Sequence, residues 1–169
     1  EKRSLYDVIC DWLHRTPIQG SVPDSSSDDE TVSNFVDSFI QNHNSLSPDS
    51  NSEAQQFLKP DGKVHRGRSG LLFIESYREL PLLAWPRKLI STLIELEEAM
   101  VLWRSSHARM VERVIGRRIG TGGSSGVDYL DMTTKYRVFI DLWSVRSILI
   151  KKSALPELQN PEFYDFKGD

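Results

Sequence analysis

His107 is the residue whose type and position most clearly suggest chemistry. It lies within LWRSSHARMVERVIG and continues an apolar series with the spacing of three and four residues that is typical of a helix face; the series comprises Leu89, Leu93, Leu96, Met100, Trp103, Val111 and Val114. A neutral imidazole is a common protein ligand of iron and zinc. The spacing leaves two hypotheses open, a metal ligand and a core histidine with one satisfied hydrogen bond.

The kind of metal site depends on what accompanies this histidine. A bare ion needs further ligands on the same face, whereas His14, His43 and His65 lie on other segments. A haem needs only one axial histidine in an apolar slot, because the porphyrin supplies four nitrogens. Trp103 lies one turn before His107 and either lines such a pocket or belongs to the core.

The segment GTGGSSG, residues 120–126, follows soon after and contains four glycines. It lacks the lysine of phosphate-binding loops, and Ser125 occupies the last glycine position of the dinucleotide pattern, so the sequence argues against nucleotide binding. Glycines allow backbone amides to turn toward an anion, and the hydroxyl groups of Thr121, Ser124 and Ser125 add further hydrogen-bonding groups. The segment therefore indicates either a site for a carboxylate or haem propionate, or a flexible linker.

The elements that must position these residues are helices. The strongest is predicted from about Pro86 to Ile115, with Gly116 as its C-terminal stop. Other helices are predicted in SLYDVICDWLHRTP, with Ser4 as N-cap, in ETVSNFVDSFIQNHN and in KYRVFIDLWSVRSILI. We expect an all-α fold, a helical bundle built around the long helix, as a single domain over residues 1–169. Loop or mobile segments are expected at 15–30 and 43–70.

Composition narrows the functional class. The chain has 169 residues, a formal net charge of -3 and a pI of about 5.8, which argues against a general surface for nucleic acids or anionic membranes. Its one cysteine, Cys10, excludes an internal disulfide framework and suits a reducing compartment. The sequence contains no apolar run long enough to span a bilayer. We expect a cytoplasmic protein that binds neither nucleic acid nor membrane.

The long motif LWRSSHARMVERVIGRRIGTGGSSG resembles the C-terminal half of the tryptophan 2,3-dioxygenases, as do SLYDVICDWLHRTP, LISTLIELEEAMVLWRSSH and YRVFIDLWSVRSILI. The resemblance implies that His107 is the proximal axial ligand of haem b and that Trp103 belongs to the same proximal side. Thr121 would contact the ammonium group of the substrate. The segment that closes over the substrate would comprise Gly120, Thr121, Gly122, Gly123, Ser124, Ser125 and Gly126.

The same resemblance implies a reaction and its partners. Members of this family insert both atoms of O2 across the C2–C3 bond of the indole of L-tryptophan, which gives N-formylkynurenine in the kynurenine pathway. The motifs that carry the distal histidine, the aromatic pocket walls and the carboxylate-binding arginine are missing from these 169 residues. We therefore expect no catalytic residue within the chain, a requirement for an N-terminal segment or companion chain, and a homotetramer.

Two alternatives remain open from the sequence. The first is a haem-dependent aromatic oxygenase of secondary metabolism, acting on a substituted tryptophan or a tyrosine and inserting one oxygen atom. The second is a non-catalytic haem-binding or helical interaction module in which residues 120–126 form only a linker. The mass of the product separates the two oxygenases, and substitution of Thr121 separates an enzyme from a module.

Overall fold

The architecture is helical throughout the part of the chain that the computed structural model describes, which comprises residues 3–46, 51–59, 62–117 and 126–165. Within these ranges there is no β-strand, which confirms the predicted all-α class. The chain divides into two compact units, Glu1–Ile90 with Asp141–Asp169, and Ser91–Ile140. The organisation as one domain over residues 1–169 stays a prediction.

Seven α-helices lie in the described residues, in the order α1 Leu5–His14, α2 Asp28–Leu46, α3 Asn51–Leu58, α4 Gly62–Ser76, α5 Ala84–Ile115, α6 Gly126–Thr133 and α7 Ile140–Ser144. Short 3-10 turns occur at Ile18–Gly20, Pro81–Leu83, Val145–Ser147, Lys152–Ala154 and Pro161–Tyr164. The residues of α5 belong to the first unit up to Ile90 and to the second from Ser91 onward.

Helix α1 begins where the sequence predicts. The hydroxyl oxygen of Ser4 accepts a hydrogen bond from the N–H of Asp7 at 3.1 Å, and the Asp7 carboxylate accepts one from the N–H of Ser4 at 3.1 Å. This reciprocal pair is a capping box that satisfies two N–H groups lacking a partner within the helix. The predicted N-cap at Ser4 is confirmed.

The core of the first unit forms where α1, α2 and α4 pack together. The aromatic rings of Phe35 on α2 and Phe73 on α4 have centroids 5.4 Å apart, and Tyr77 and the buried Tyr164 pack against Phe73 at 4.7 and 5.5 Å. The sequence spacing predicts an apolar face on α2 formed by Val32, Phe35, Val36, Phe39 and Ile40. The first four of these residues are buried and Ile40 is half-buried, which confirms the face. These rings hold the C-terminal segment against the helices.

The prediction of loops at 15–30 and 43–70 is wrong in part. The first range contains the turn at Ile18–Gly20 and the start of α2, while the second contains all of α3 and the first half of α4. Helix α4 is buried through polar as well as apolar residues, because Arg66 forms a buried ion pair with Asp28 at 2.9 Å. A search for one apolar face therefore misses a helix whose buried face is partly charged.

The last predicted helix is shorter than the sequence pattern indicates. Only Ile140–Ser144 is α-helical within KYRVFIDLWSVRSILI, and a 3-10 turn follows at Val145–Ser147. Phe139 and Ile148 are buried, as expected for apolar residues of this segment, but they lie outside α7. The backbone N–H groups of Val138 and Phe139 donate to the carboxylate of Glu97, so this stretch meets its hydrogen-bonding needs without a helix.

Helix α5 confirms the strongest element of the prediction. It starts two residues before Pro86 and ends at Ile115, and Gly116 follows with a left-handed φ of 66°. The N–H of Gly116 donates to the carbonyl oxygen of Glu112 at 2.9 Å, which closes the last turn. The long helix thus ends at the glycine that the sequence predicts as its stop.

Candidate functional site

Trp103 and His107 lie one turn apart on the part of α5 that belongs to the second unit. Their rings are stacked, with centroids 5.3 Å apart and planes inclined by 4°. The Trp103 side chain is exposed and His107 is half-buried. The ring of His107 has no hydrogen-bonding partner among the residues that the structure describes, so its orientation rests on the neighbouring indole.

The surface around His107 is apolar. Leu96, Met110 and Val114 are exposed on the same side of α5, and Met100 is half-buried. These residues follow one another at the spacing that places them in one stripe along a helix. The imidazole therefore lies within an uncovered apolar strip of the second unit.

The apolar spacing of this stripe also predicts that it faces the core. In the described residues this prediction is wrong. Leu96 is 48% exposed, Trp103 66% and Val114 77%. The buried side of α5 in the second unit instead carries Ile94, Glu97 and Ala108. This side is rotated by roughly a third of a turn from the predicted stripe. The periodicity correctly identified an apolar face of α5. The other residues of this chain, however, pack against a different face of that helix.

Sequence reasoning missed the polar residues on the buried side of α5. Glu97 is 2% exposed, and its carboxylate accepts hydrogen bonds from the N–H groups of Val138 and Phe139. Arg104 donates to the carbonyl oxygens of Thr133 and Tyr136, at 3.4 and 3.1 Å. These two side chains tie the segment after α6 to the long helix. Their spacing in the sequence could have identified them, because it places both on the same side of α5 as Ile94 and Ala108.

The glycine-rich segment lies almost entirely outside the described residues. Gly120, Thr121, Gly122, Gly123, Ser124 and Ser125 are among the residues that the structure leaves undescribed. Gly126 is described and begins α6, and a Cβ placed on it would meet no atom within 4 Å. The proximity of Thr121 to His107 therefore stays a prediction.

The first unit contains an open apolar cavity of about 800 Å³. It lies between the C-terminal end of α1 and the residues that lead into α5, and it holds none of the predicted site residues. Its lining includes Trp12, Arg15, Leu82, Trp85 and Lys88.

In the described residues, no helix has the length and apolar composition required to cross a membrane.

Comparison with known proteins agrees with the motif around His107. The model of the tryptophan 2,3-dioxygenase family matches residues 30–149. A tryptophan 2,3-dioxygenase of Sorangium cellulosum is 41% identical over an alignment that covers 97% of this chain and 47% of that protein. Tryptophan 2,3-dioxygenase B of Danio rerio is 30% identical, with coverage of 98% and 47%.

A third relative is similar over a shorter region. A tryptophan 2,3-dioxygenase-like protein of Xanthomonas campestris is 63% identical over 100 residues, which is 59% of this chain and 37% of that protein. The helical fold of the described residues and these matches together define the family to which the chain belongs. The chain belongs to the tryptophan 2,3-dioxygenase family. It spans about half the length, or less, of the relatives named here.

Proposed function

We propose that this chain is the haem-holding part of an enzyme that opens the indole ring of L-tryptophan with O2 and yields N-formylkynurenine. Membership of the family and the names of the relatives support the reaction. The observation that carries the proposal is the His107 imidazole, which is stacked on Trp103 within an apolar strip and lacks a hydrogen-bonding partner in the described residues.

The residues of this strip fit a haem. A porphyrin presents a broad apolar face and requires from this side one nitrogen ligand, which His107 would provide. When bound, the haem iron supplies the redox chemistry that makes O2 reactive toward the indole. Trp103 would restrict rotation of the imidazole, and Leu96, Met110 and Val114 would keep water from its surroundings.

Residues 120–126 are proposed to bind the substrate. The hydroxyl group of Thr121 would accept a hydrogen bond from the tryptophan ammonium group, and the backbone amides supplied by Gly120, Gly122, Gly123 and Gly126 would face anionic groups. Ser124 and Ser125 would add hydroxyl groups to the same segment. Closure of this segment over the substrate would exclude water from the reaction.

The other side of the pocket is proposed to come from outside these 169 residues. The relatives are about twice as long as the stretch that this chain matches, and the strip around His107 is uncovered. A segment preceding this sequence, or a companion chain, would supply the groups that act on O2 and the indole. We further propose that the assembled enzyme is a cytoplasmic homotetramer.

A haem titration tests this proposal at its ligand. The full-length protein should bind one haem per chain with a Soret band typical of histidine ligation, and His107→Ala should abolish stoichiometric binding. His65→Gln is the control, since its nitrogen contacts the carbonyl oxygen of Leu58 and has no role in the proposed site. A normal Soret band in His107→Ala would show that another group holds the iron.

A further inference from the structure

The uncovered apolar strip on α5 has the spacing of a surface against which another helix packs. Its members alternate in steps of three and four residues, as the residues along the seam between two packed helices do. All of them are half-buried or exposed. The series comprises Leu93, Leu96, Met100, Trp103, His107 and Met110. A haem needs one ligand and an apolar surface, but it does not need this regular repeat.

A haem held by His107 covers only part of the strip. An α-helix rises about 1.5 Å per residue, so Leu96 and Leu93 lie about 17 and 21 Å from His107 along the axis of α5. Both side chains are therefore beyond the edge of a porphyrin centred on the imidazole. Leu96 is 48% exposed, and Leu93 and Met100 are half-buried. We call Leu93, Leu96 and Met100 the N-terminal strip, whose apolar surface requires a partner other than haem.

The two flanks of the N-terminal strip differ. On one flank, the carboxylate of Glu97 accepts hydrogen bonds from the N–H groups of Val138 and Phe139, so backbone of the same chain already lies there. On the other flank, Ala99 is exposed and carries only a methyl group. The distance between packed helices depends on the size of the side chains at their contact. A second helix can therefore approach α5 closely on the side of Ala99.

The chemistry of the N-terminal strip defines the kind of helix that fits it. Leucine side chains offer no hydrogen-bonding group, so a charged residue placed against them would lose its water without gaining a partner. The side chain of Met100 is flexible and can fill gaps left by its neighbours. The partner helix should therefore carry apolar residues at steps of three and four that face α5.

We propose that the N-terminal strip binds a helix of the segment that precedes this sequence in the complete enzyme. This inference rests on the proposed function, in which that segment covers the other side of the haem pocket. The relative from Sorangium cellulosum matches this chain over 47% of its own length, so more than half of that protein lies outside the match. A segment that reaches the haem at His107 lies beside the same strip. Its covalent connection gives it a higher effective concentration there than a second copy of the chain.

Photo-crosslinking in the full-length, haem-loaded protein tests the proposal. A photoreactive amino acid replaces Leu93, Leu96 or Met100 in separate variants, and the adducts are identified by proteolysis and mass spectrometry. Adducts should form with residues that precede this sequence. The residues reached from the three positions should follow one another at steps of three or four along one stretch, as expected for a helix. Glu98 is the control position, because it is exposed on the opposite side of α5 and should give no such adduct.

The sequence of the linked peptide decides which occupant lies on the strip. Adducts with α5 or any other part of a second copy of these 169 residues would make the strip an interface between copies and overturn the proposal. Yields at the three positions no higher than at Glu98 would also overturn it. If the protein binds haem and opens the indole ring of tryptophan but shows either result, only this inference fails. If the expected adducts form and the protein binds no haem, the proposed function fails and the helix packing stands.

Discussion

The indole of Trp103 lies nearly parallel to the imidazole of His107, with 5.3 Å between the ring centroids. Both rings project from one face of α5, one helical turn apart, and the indole is mostly exposed. The contact orients a histidine that has no hydrogen-bonding partner in the described part of the chain. Among the described residues, the ring that stacks on the predicted haem ligand His107 is therefore that of Trp103.

Replacement of Trp103 should therefore weaken haem binding without removing it. An aromatic pair contributes about 0.5–1.5 kcal/mol beyond its buried area, which corresponds to a loss of about twofold to tenfold in haem affinity for Trp103→Ala. Trp103→Phe should retain most of the affinity. Titration followed at the Soret band gives the constants, and Trp85→Ala, which removes another exposed indole from α5, should bind haem normally.

Removal of one partner of the buried ion pair between Asp28 and Arg66 should destabilise the first unit. Arg66 donates to both carboxylate oxygens of Asp28, at 2.9 and 3.1 Å, and to the carbonyl oxygen of Thr16 at 2.7 Å. Asp28→Asn leaves the guanidinium buried without a counter-charge, which should lower the free energy of unfolding by about 3–5 kcal/mol. Urea denaturation measures the difference, and a loss below 1 kcal/mol would contradict it.

The same pair predicts a pH dependence. Burial raises the pKa of Asp28, but hydrogen bonds from Arg66 and Ser21 outweigh it and hold the pKa below its ordinary value of 3.8. Ionised Asp28 thus stabilises the folded state above that value, and the contribution is lost as the pH falls through the lower folded-state pKa. The gap in melting temperature between the unsubstituted protein and Asp28→Asn should narrow below about pH 4.

Glu97 should be required for the stability of the second unit. Glu97→Ala leaves the N–H groups of Val138 and Phe139 without their acceptor, and should lower the free energy of unfolding by about 2–3 kcal/mol. Glu97→Gln retains an acceptor oxygen and should cost less. Glu98→Ala removes a neighbouring exposed carboxylate and is the control. Equal stability of Glu97→Ala and Glu98→Ala would refute the role assigned to Glu97.

Gly70 should be intolerant of any side chain. A Cβ at this position would clash with the backbone carbonyl oxygen of Leu13 and lie 3.0 Å from the Thr16 side chain, where α4 crosses α1. Gly70→Ala should lower the free energy of unfolding by about 1–3 kcal/mol. Gly67→Ala should cost less, because its Cβ would lie 3.1 Å from the carbonyl oxygen of Cys10. Thermal melts of the two variants rank these costs.

Local sequence patterns predicted the elements whose partners are close in sequence or whose apolar residues form one stripe. The cap at Ser4, the buried face of α2 and the end of α5 at Gly116 are of this kind. Helix α4 was missed because Arg66 finds its partner 38 residues earlier, at Asp28. A pairing at that distance leaves no periodic signal in the local sequence.

The sequence predicted the kind of site around His107, but it did not predict which residues surround it. The motif around His107 indicated the family, which the comparisons confirm. Periodicity also placed Trp103 and His107 on one face of α5, yet it could not tell which face this chain covers. Glu97 and Arg104 occupy the covered side, and their backbone partners lie 29 to 42 residues later. The roles of His107 and Thr121 stay predictions.

One measurement tests the central claim most directly. The haem-loaded full-length protein, reduced with dithionite, is titrated with L-tryptophan in the absence of O2, after which O2 is admitted and the product is weighed by mass spectrometry. We predict a Soret shift on titration and a product heavier than tryptophan by two oxygen atoms. A product heavier by one oxygen atom would indicate a monooxygenase and contradict the proposed reaction. Absence of haem binding would contradict the assignment of His107 as a ligand and indicate a structural role for it.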